Sequence, residues 1–350
     1  MTTLYVSPAG AGARSGKDVA NAAALGALVK QRPERVLLLA DQGDYVIAGP
    51  IGLSEGGGRP NAPLVIAGAN SDGAPARVTI RGTRTGGQLG NELFKLLGAH
   101  FISFEQLEIV DTRVPFRVGA PCYGLRIADV SARNVYRFLE NNASGDERDA
   151  SLVDFALTNC SATAIERNFL RIQYASYIGW IDQCSGDAAG APTPDALPAG
   201  CVLEGAAAQM TFRDCTMTGF AAPAGDGAYW NGDGFSTERG NSAITFQACT
   251  ASDCADAGFD LKSTETLLTN CTAHGAKRNF RVWGEAELNT CASVDPVKRG
   301  GTGGIAHLWC ASGARVRVRD FSASGGPALP YELEKPAPVA LTGFAIGAAQ

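Results

Sequence analysis

The 350-residue chain carries 30 Lys and Arg against 35 Asp and Glu, a formal net charge of −5, with 45% hydrophobic and 19% charged residues. So mild an acidity, with no long basic run, excludes a phosphate-binding surface and makes nucleic acid an unexpected partner. No stretch reaches the roughly 18 uninterrupted apolar residues of a membrane span, so membrane insertion is not expected, and 43 glycines with 17 prolines favour many turns and short strands.

In chain order, residues 4–6 predict a short strand, 8–16 a turn-rich loop, and 18–30 an amphipathic, alanine-rich helix suited to covering an open core end. Residues 1–35 thus read as an N-terminal strand and helical cap, which protects an edge that would otherwise recruit other chains. The start, Met1-Thr2-Thr3-Leu4-Tyr5, lacks the charged and apolar regions of a secretory signal, as in a cytoplasmic chain or one whose leader has been removed. Strands follow at 36–39, 64–66, 78–80, 101–104 and 107–110, separated by Gly, Pro, Asn and Asp. The Ala-, Gly- and Pro-rich segment 185–200 and the Ala- and Gly-rich segment 221–232 read as loop insertions, the usual carriers of binding sites on a rigid scaffold.

The pattern apolar-x-x-Cys occurs six times, ending at Cys160, Cys184, Cys215, Cys249, Cys271 and Cys291, at spacings of 24, 31, 34, 22 and 20 residues. Recurrence with variable insertions predicts stacked coils. The fold expected is all-β: a single-stranded right-handed parallel β-helix over 1–350, with coils from 36 to 325 and a C-terminal cap or tail over 326–350. The six cysteines should form one buried, unbridged inward column, because free cysteine packs as a small hydrophobe. No CxxC or Cys/His zinc spacing occurs.

Four segments overlay by apolar alternation: Phe235-Ser236-Thr237-Glu238, Phe259-Asp260-Leu261-Lys262, Phe280-Arg281-Val282-Trp283 and Ala306-His307-Leu308-Trp309. Their second and fourth members should face outward in two columns, Ser236, Asp260, Arg281, His307 and Glu238, Lys262, Trp283, Trp309. Trp283 and Trp309 are candidate sugar platforms, since flat aromatic faces stack on pyranose C–H faces. Asn231, Arg239 and Asn279 are candidate polar contacts to the same sugar.

Asn231-Gly232-Asp233-Gly234-Phe235, Asp256-Ala257-Gly258-Phe259-Asp260 and Arg278-Asn279-Phe280-Arg281-Val282-Trp283-Gly284 resemble, in that order, the calcium-site and catalytic-lysine motifs of family-nine pectate lyases, members of the pectate-lyase-like β-helix superfamily. A weaker likeness joins Tyr5-Val6-Ser7-Pro8 and residues 37–45 to the N-termini of secreted β-helix lyases, implying an extracellular or periplasmic setting. The resemblance implies Ca2+ held by Asp233, Asp256 and Asp260, and a proton-abstracting base at Arg281, where the family has lysine. Ala257 stands in place of a further aspartate, one oxygen fewer for a cation that takes about six to eight. Lys262 is the chemically easier base, because a lysine among cations is depressed toward neutrality.

The activity so implied is that of a polysaccharide lyase, or a uronate C5-epimerase, acting on an acidic, uronic-acid-containing polysaccharide. Arg278 or Lys277, together with the cation, would stabilise the enolate-like state, with Glu238 and Lys277 at the cleft edge and His307 a further candidate catalytic residue. Arg281→Ala is then expected to abolish turnover while leaving stability nearly unchanged. The alternatives are a polygalacturonase-like hydrolase, with Asp233 and Asp256 as acid and base beside His274 and Lys298, and a noncatalytic glycan-binding or structural β-helix. A monomer or weak oligomer is expected.

Overall fold

Each apolar-x-x-Cys unit is a corner. The residue before the cysteine holds a left-handed backbone: Asn159 (φ 50°), Gln183 (52°), Asp214 (51°), Ala248 (52°), Asn270 (56°) and Thr290 (53°). That conformation bends the strand sharply, and short polar side chains such as Asn and Asp adopt it most readily among residues bearing a Cβ. The cysteine that follows points inward. All ten cysteines are buried and unbridged. The thiols of Cys215, Cys249 and Cys271 donate to the carbonyls of Ile181, Phe212 and Phe246 one coil earlier, at 3.3, 3.5 and 3.4 Å. Burial pushes the thiols of Cys122 and Cys310 up to about 12, which keeps them protonated and inert.

The computed structural model describes residues 3–26, 33–86, 88–188, 197–223, 229–326, 331–335, 340–342 and 346–348. They fall in two compact units, Met1–Ala162 and Thr163–Gln350. In the first, Thr3–Ser7, Arg35–Leu39, Leu64–Ala69, Ile102–Thr112 and Leu125–Asn141 pair successively, all in parallel. The strands expected at 101–104 and 107–110 are one, bent at Gln106 (φ 56°). Its core holds Phe94, Phe104, Phe116 and Phe138, with ring centroids 4.6 to 5.8 Å apart.

The helix expected over 18–30 is not what its described part forms. Val19–Asn21 is a single 3-10 turn, closed by Asp18 accepting from the Asn21 N–H at 2.9 Å, and Ala23–Ala24 pairs with Val6 and Ser7. Ala22 and Ala23 are fully buried, so burial in the ladder outweighs alanine's helix preference. Residues 27–30 lie outside the described residues.

The second unit carries three parallel ladders. One runs through Ala199–Leu203, Asp233–Thr237, Ala257–Leu261, Arg278–Val282 and Ala306–Cys310. Another runs from Tyr177–Asp182 to Arg315–Arg319, and a third from Ser185–Asp187 to Phe321–Ser324. Tyr331–Leu333, Ala340–Thr342 and Ile346–Ala348 extend them, so the described parts of the expected tail are further rungs. In the described part of the 221–232 insertion, Ala222–Pro223 and Trp230–Asn231 pair as a small antiparallel arm. Ser185–Asp187 and Ala199–Leu203 belong to ladders, so the ends of the 185–200 insertion are strand. No helix among the described residues is long and apolar enough to cross a membrane.

Candidate active site

The register of the first ladder places the site. Cys201, Phe235, Phe259, Phe280 and Leu308 lie in one inward row, and Phe235, Phe259 and Phe280 stack nearly parallel at 5.0 and 5.2 Å. Each buried phenylalanine contributes about 1.5–3 kcal/mol, with more from the stacked geometry. The residue before each phenylalanine also faces inward. A Cβ on Gly234 would lie 2.6 Å from the Ala251 Cβ, and one on Gly258 would lie 2.6 Å from the Asn279 carbonyl oxygen, so the backbone needs glycine there. Two consecutive inward positions throw the preceding residue outward, and Asp233 therefore points into a cleft instead of the core.

The cleft, of ≈ 440 Å³, is walled by Asp233, Ser236, Glu238, Asp256, Asp260, Lys262, Arg281 and Trp283, by Tyr229 and Asn231 of the arm, and by Arg167, Asn168, Arg171 and Glu204. Arg281 is its hub. Its Nη1 donates to Asp256 Oδ2 and its Nε to Asp260 Oδ1, both at 2.6 Å, and its Nη2 lies 3.9 Å from Asp233 Oδ1. Lys277 Nζ is 3.1 Å from Asp256 Oδ1, and Lys262 Nζ is 3.3 Å from Asp260 Oδ2 and 2.5 Å from Glu238 Oε1. Tyr229 donates its hydroxyl to Asp256 Oδ2 at 3.0 Å.

These contacts set the charge states. Burial works against ionised Asp256, but Arg281 and Lys277 outweigh it and hold the carboxyl below its usual range. Burial and the negative charge of Asp260 push Asp233 up to about 8, against the pull of Arg281, and its Oδ1 has no hydrogen-bond partner among the described residues. Burial works against the Lys262 ammonium, yet Asp260 and Glu238 raise it above its ordinary value. Arg281 is likewise raised, because Asp260 and Asp233 outweigh the cost of burial. Neither cation of the expected base pair is available as a base near neutral pH.

The carboxylates expected to hold Ca2+ do converge, but they do not fit a calcium cage. The guanidinium lies among them, and both oxygens of Asp260 and both of Asp256 face protein cations. Among the described residues no group of three His, Cys, Asp or Glu side chains is placed to hold a metal ion.

Of the expected columns, Ser236, Asp260 and Arg281 share a register position, and Glu238, Lys262 and Trp283 follow one after another along the same wall. The fourth segment is displaced by two residues: Leu308, not Ala306, pairs with Phe280, and Trp309 pairs with Arg281. His307 consequently follows the inward row of Gly234, Gly258 and Asn279. It is buried, with Nδ1 2.8 Å from Ser293 Oγ and Nε2 2.9 Å from the Gly325 carbonyl, away from the cleft. Asn279 is a core residue too, its amide nitrogen donating to Ser293 Oγ and to the Val294 carbonyl.

Trp309 is only 4% exposed and is no platform: Trp283 packs edge-on at 4.7 Å and the Arg278 guanidinium covers its ring at 4.5 Å. Trp283 is half-buried and lines the cleft. Lys277 is buried behind the wall, and Arg278 lies beside it, over Trp309. Arg239 is exposed and outside the cleft wall, as is Lys298, and His274 sits on the third ladder.

No family model and no curated protein matches the sequence. Solved structures do. The chain is similar to pectate lyase Pel9A (TM-score 0.53, 14% identity, covering 99% of this chain and 78% of that one). It is also similar to a rhamnogalacturonan lyase (0.54, 12%, 98% and 87%) and to a glycoside hydrolase (0.54, 10%, 99% and 96%). The fold is that of the pectate-lyase-like parallel β-helices.

Within this β-helix, sequence reasoning missed Tyr229, Arg167, Asn168 and Arg171. Counting coils backward would have found part of the set, because Asn168 pairs with Ala199 and Ala199 with Asp233. Tyr229 carried one signal, an aromatic residue at the end of an Ala- and Gly-rich insertion.

Proposed function

We propose that the cleft cleaves glycosidic bonds of an acidic polysaccharide, with Asp233 transferring the proton. One observation carries this reading: Asp233, whose buried Oδ1 accepts no hydrogen bond among the described residues and lies 3.9 Å from Arg281, shares a wall with two carboxylates locked in 2.6 Å ion pairs by the same arginine. Environments that push neighbouring carboxyls apart define an acid and a base. In hydrolysis, neutral Asp233 gives its proton to the glycosidic oxygen as the C1–O bond breaks, and the water that attacks C1 loses its proton to an ionised carboxylate of the same wall. Lys262 and Arg171 on the wall supply cationic charge toward uronate carboxylates, and Trp283 an apolar face for a sugar ring. Of the similar structures, one is by name a pectate lyase, one a rhamnogalacturonan lyase and one a glycoside hydrolase, which supports a carbohydrate substrate. An extracellular or periplasmic setting suits that substrate. We take the coil within each unit to be right-handed, as parallel crossovers nearly always are.

The order of the three motifs between Asn231 and Gly284 favours a second reading, β-elimination or C5 epimerisation of a uronate. There the base is Asp233 in its ionised form, since Arg281 and Lys262 are held protonated by their carboxylate partners. Incubation with a panel of uronate polymers across pH separates the two. Reducing ends without an unsaturated product, declining above pH about 8, mark hydrolysis; an unsaturated, ultraviolet-absorbing product rising through that pH marks elimination. Full activity in Asp233→Asn would overturn both.

A further inference from the structure

Three carboxylates lie around one guanidinium that the chain itself supplies. Arg281 is 11% exposed as a side chain, Asp256 3%, Asp260 1% and Asp233 13%. Left alone, such a group would repel itself severely in so dry a setting, and a hard divalent cation is the usual remedy. Here the fork of Arg281 spans Asp256 and Asp260 with two 2.6 Å bonds and stands 3.9 Å from Asp233. It is a planar, permanently charged group whose geometry matches carboxylates. Lys277 and Lys262 take the outer oxygens of the same two carboxylates.

We propose that Arg281 is a built-in replacement for a divalent cation: it organises the carboxylates of the cleft in metal-free protein, and its removal converts them into a calcium site. The inference rests on the ion-pair geometry alone and stands whether the cleft hydrolyses, eliminates or only binds.

The test reads thermal unfolding and calorimetric calcium binding, not turnover, so its failure is separable from failure of the functional reading. Wild-type protein is melted with millimolar CaCl2 and with excess EDTA, beside Arg281→Ala and, should that variant not accumulate folded, Arg281→Gln. The expected result is one midpoint for the wild type in both buffers and no calcium-binding heat. The variant should melt several degrees lower in EDTA, regain much of that loss in calcium, and bind calcium measurably. A wild-type midpoint that falls in EDTA would overturn the proposal, as would a folded variant indifferent to calcium.

Discussion

Trp283 Nε1 donates to Asp260 Oδ1 at 2.8 Å, the same oxygen that Arg281 Nε reaches at 2.6 Å. The indole thereby fixes a carboxylate while its ring packs edge-on with Trp309. Trp283→Phe keeps the ring contact and removes the donor to a buried charge, for an expected loss of about 1.5–3 kcal/mol in urea unfolding. Trp309→Ala should cost about 3–5 kcal/mol, because it opens a cavity beneath that pair. Equal and negligible losses in both variants would contradict this arrangement.

Asp233→Asn preserves shape and mimics the neutral acid, so turnover should drop by about 10²–10⁴-fold with stability at neutral pH maintained or raised. The sign of the pH effect follows from a folded value near 8 above an ordinary value of 3.8. Between those limits the unfolded chain releases a proton that the folded chain keeps, so Asp233 makes wild-type stability fall as pH rises from about 4 through about 8. The Asn variant should lack that slope. Chemical denaturation at several pH values checks it, and identical slopes would sink the assignment.

Arg281→Lys retains one positive charge but has no fork to bridge Asp256 and Asp260. Its loss of stability should be clear yet smaller than the about 3–5 kcal/mol expected when a buried ion-pair partner is removed outright, as in Arg281→Ala. The sequence-based expectation that Arg281→Ala leaves stability unchanged therefore gives way, since the side chain is a buried hub and not a solvated surface group. Unfolding midpoints of the two variants against wild type decide the point.

Gly258→Ala places a methyl 2.6 Å from the Asn279 carbonyl oxygen and 2.7 Å from the Ala273 Cβ. Backbone must move to admit it, at about 1–3 kcal/mol. The shift would displace Asp256 and Asp260 on either side, so activity should fall with stability. Added alanine at Gly49, where nothing lies within 4 Å and the backbone is not left-handed, serves as a control for the melt.

The repeat alone determined the coil, the inward cysteines and the parallel register of three phenylalanines, because a residue that must be buried on every turn recurs at every turn. The same periodicity brings Asp233, Asp256, Asp260, Lys262, Glu238 and Arg281 to one cleft. Only the tertiary structure decided what those residues do to one another. The fourth segment has Ala306 where its predecessors have phenylalanine, and pattern matching set it two residues out of register. Hydrogen bonding between neighbouring strands corrected it, turning His307 inward and Trp309 under Trp283. Charge state, too, is invisible in one dimension: whether an arginine beside three aspartates is a base or a lock depends on distances of 2.6 Å and on the exclusion of water. Spacing along a strand sets which side chains meet, but burial and geometry across strands set their protonation, and here they hold the expected base charged and raise the carboxyl of an expected metal ligand well above its ordinary range.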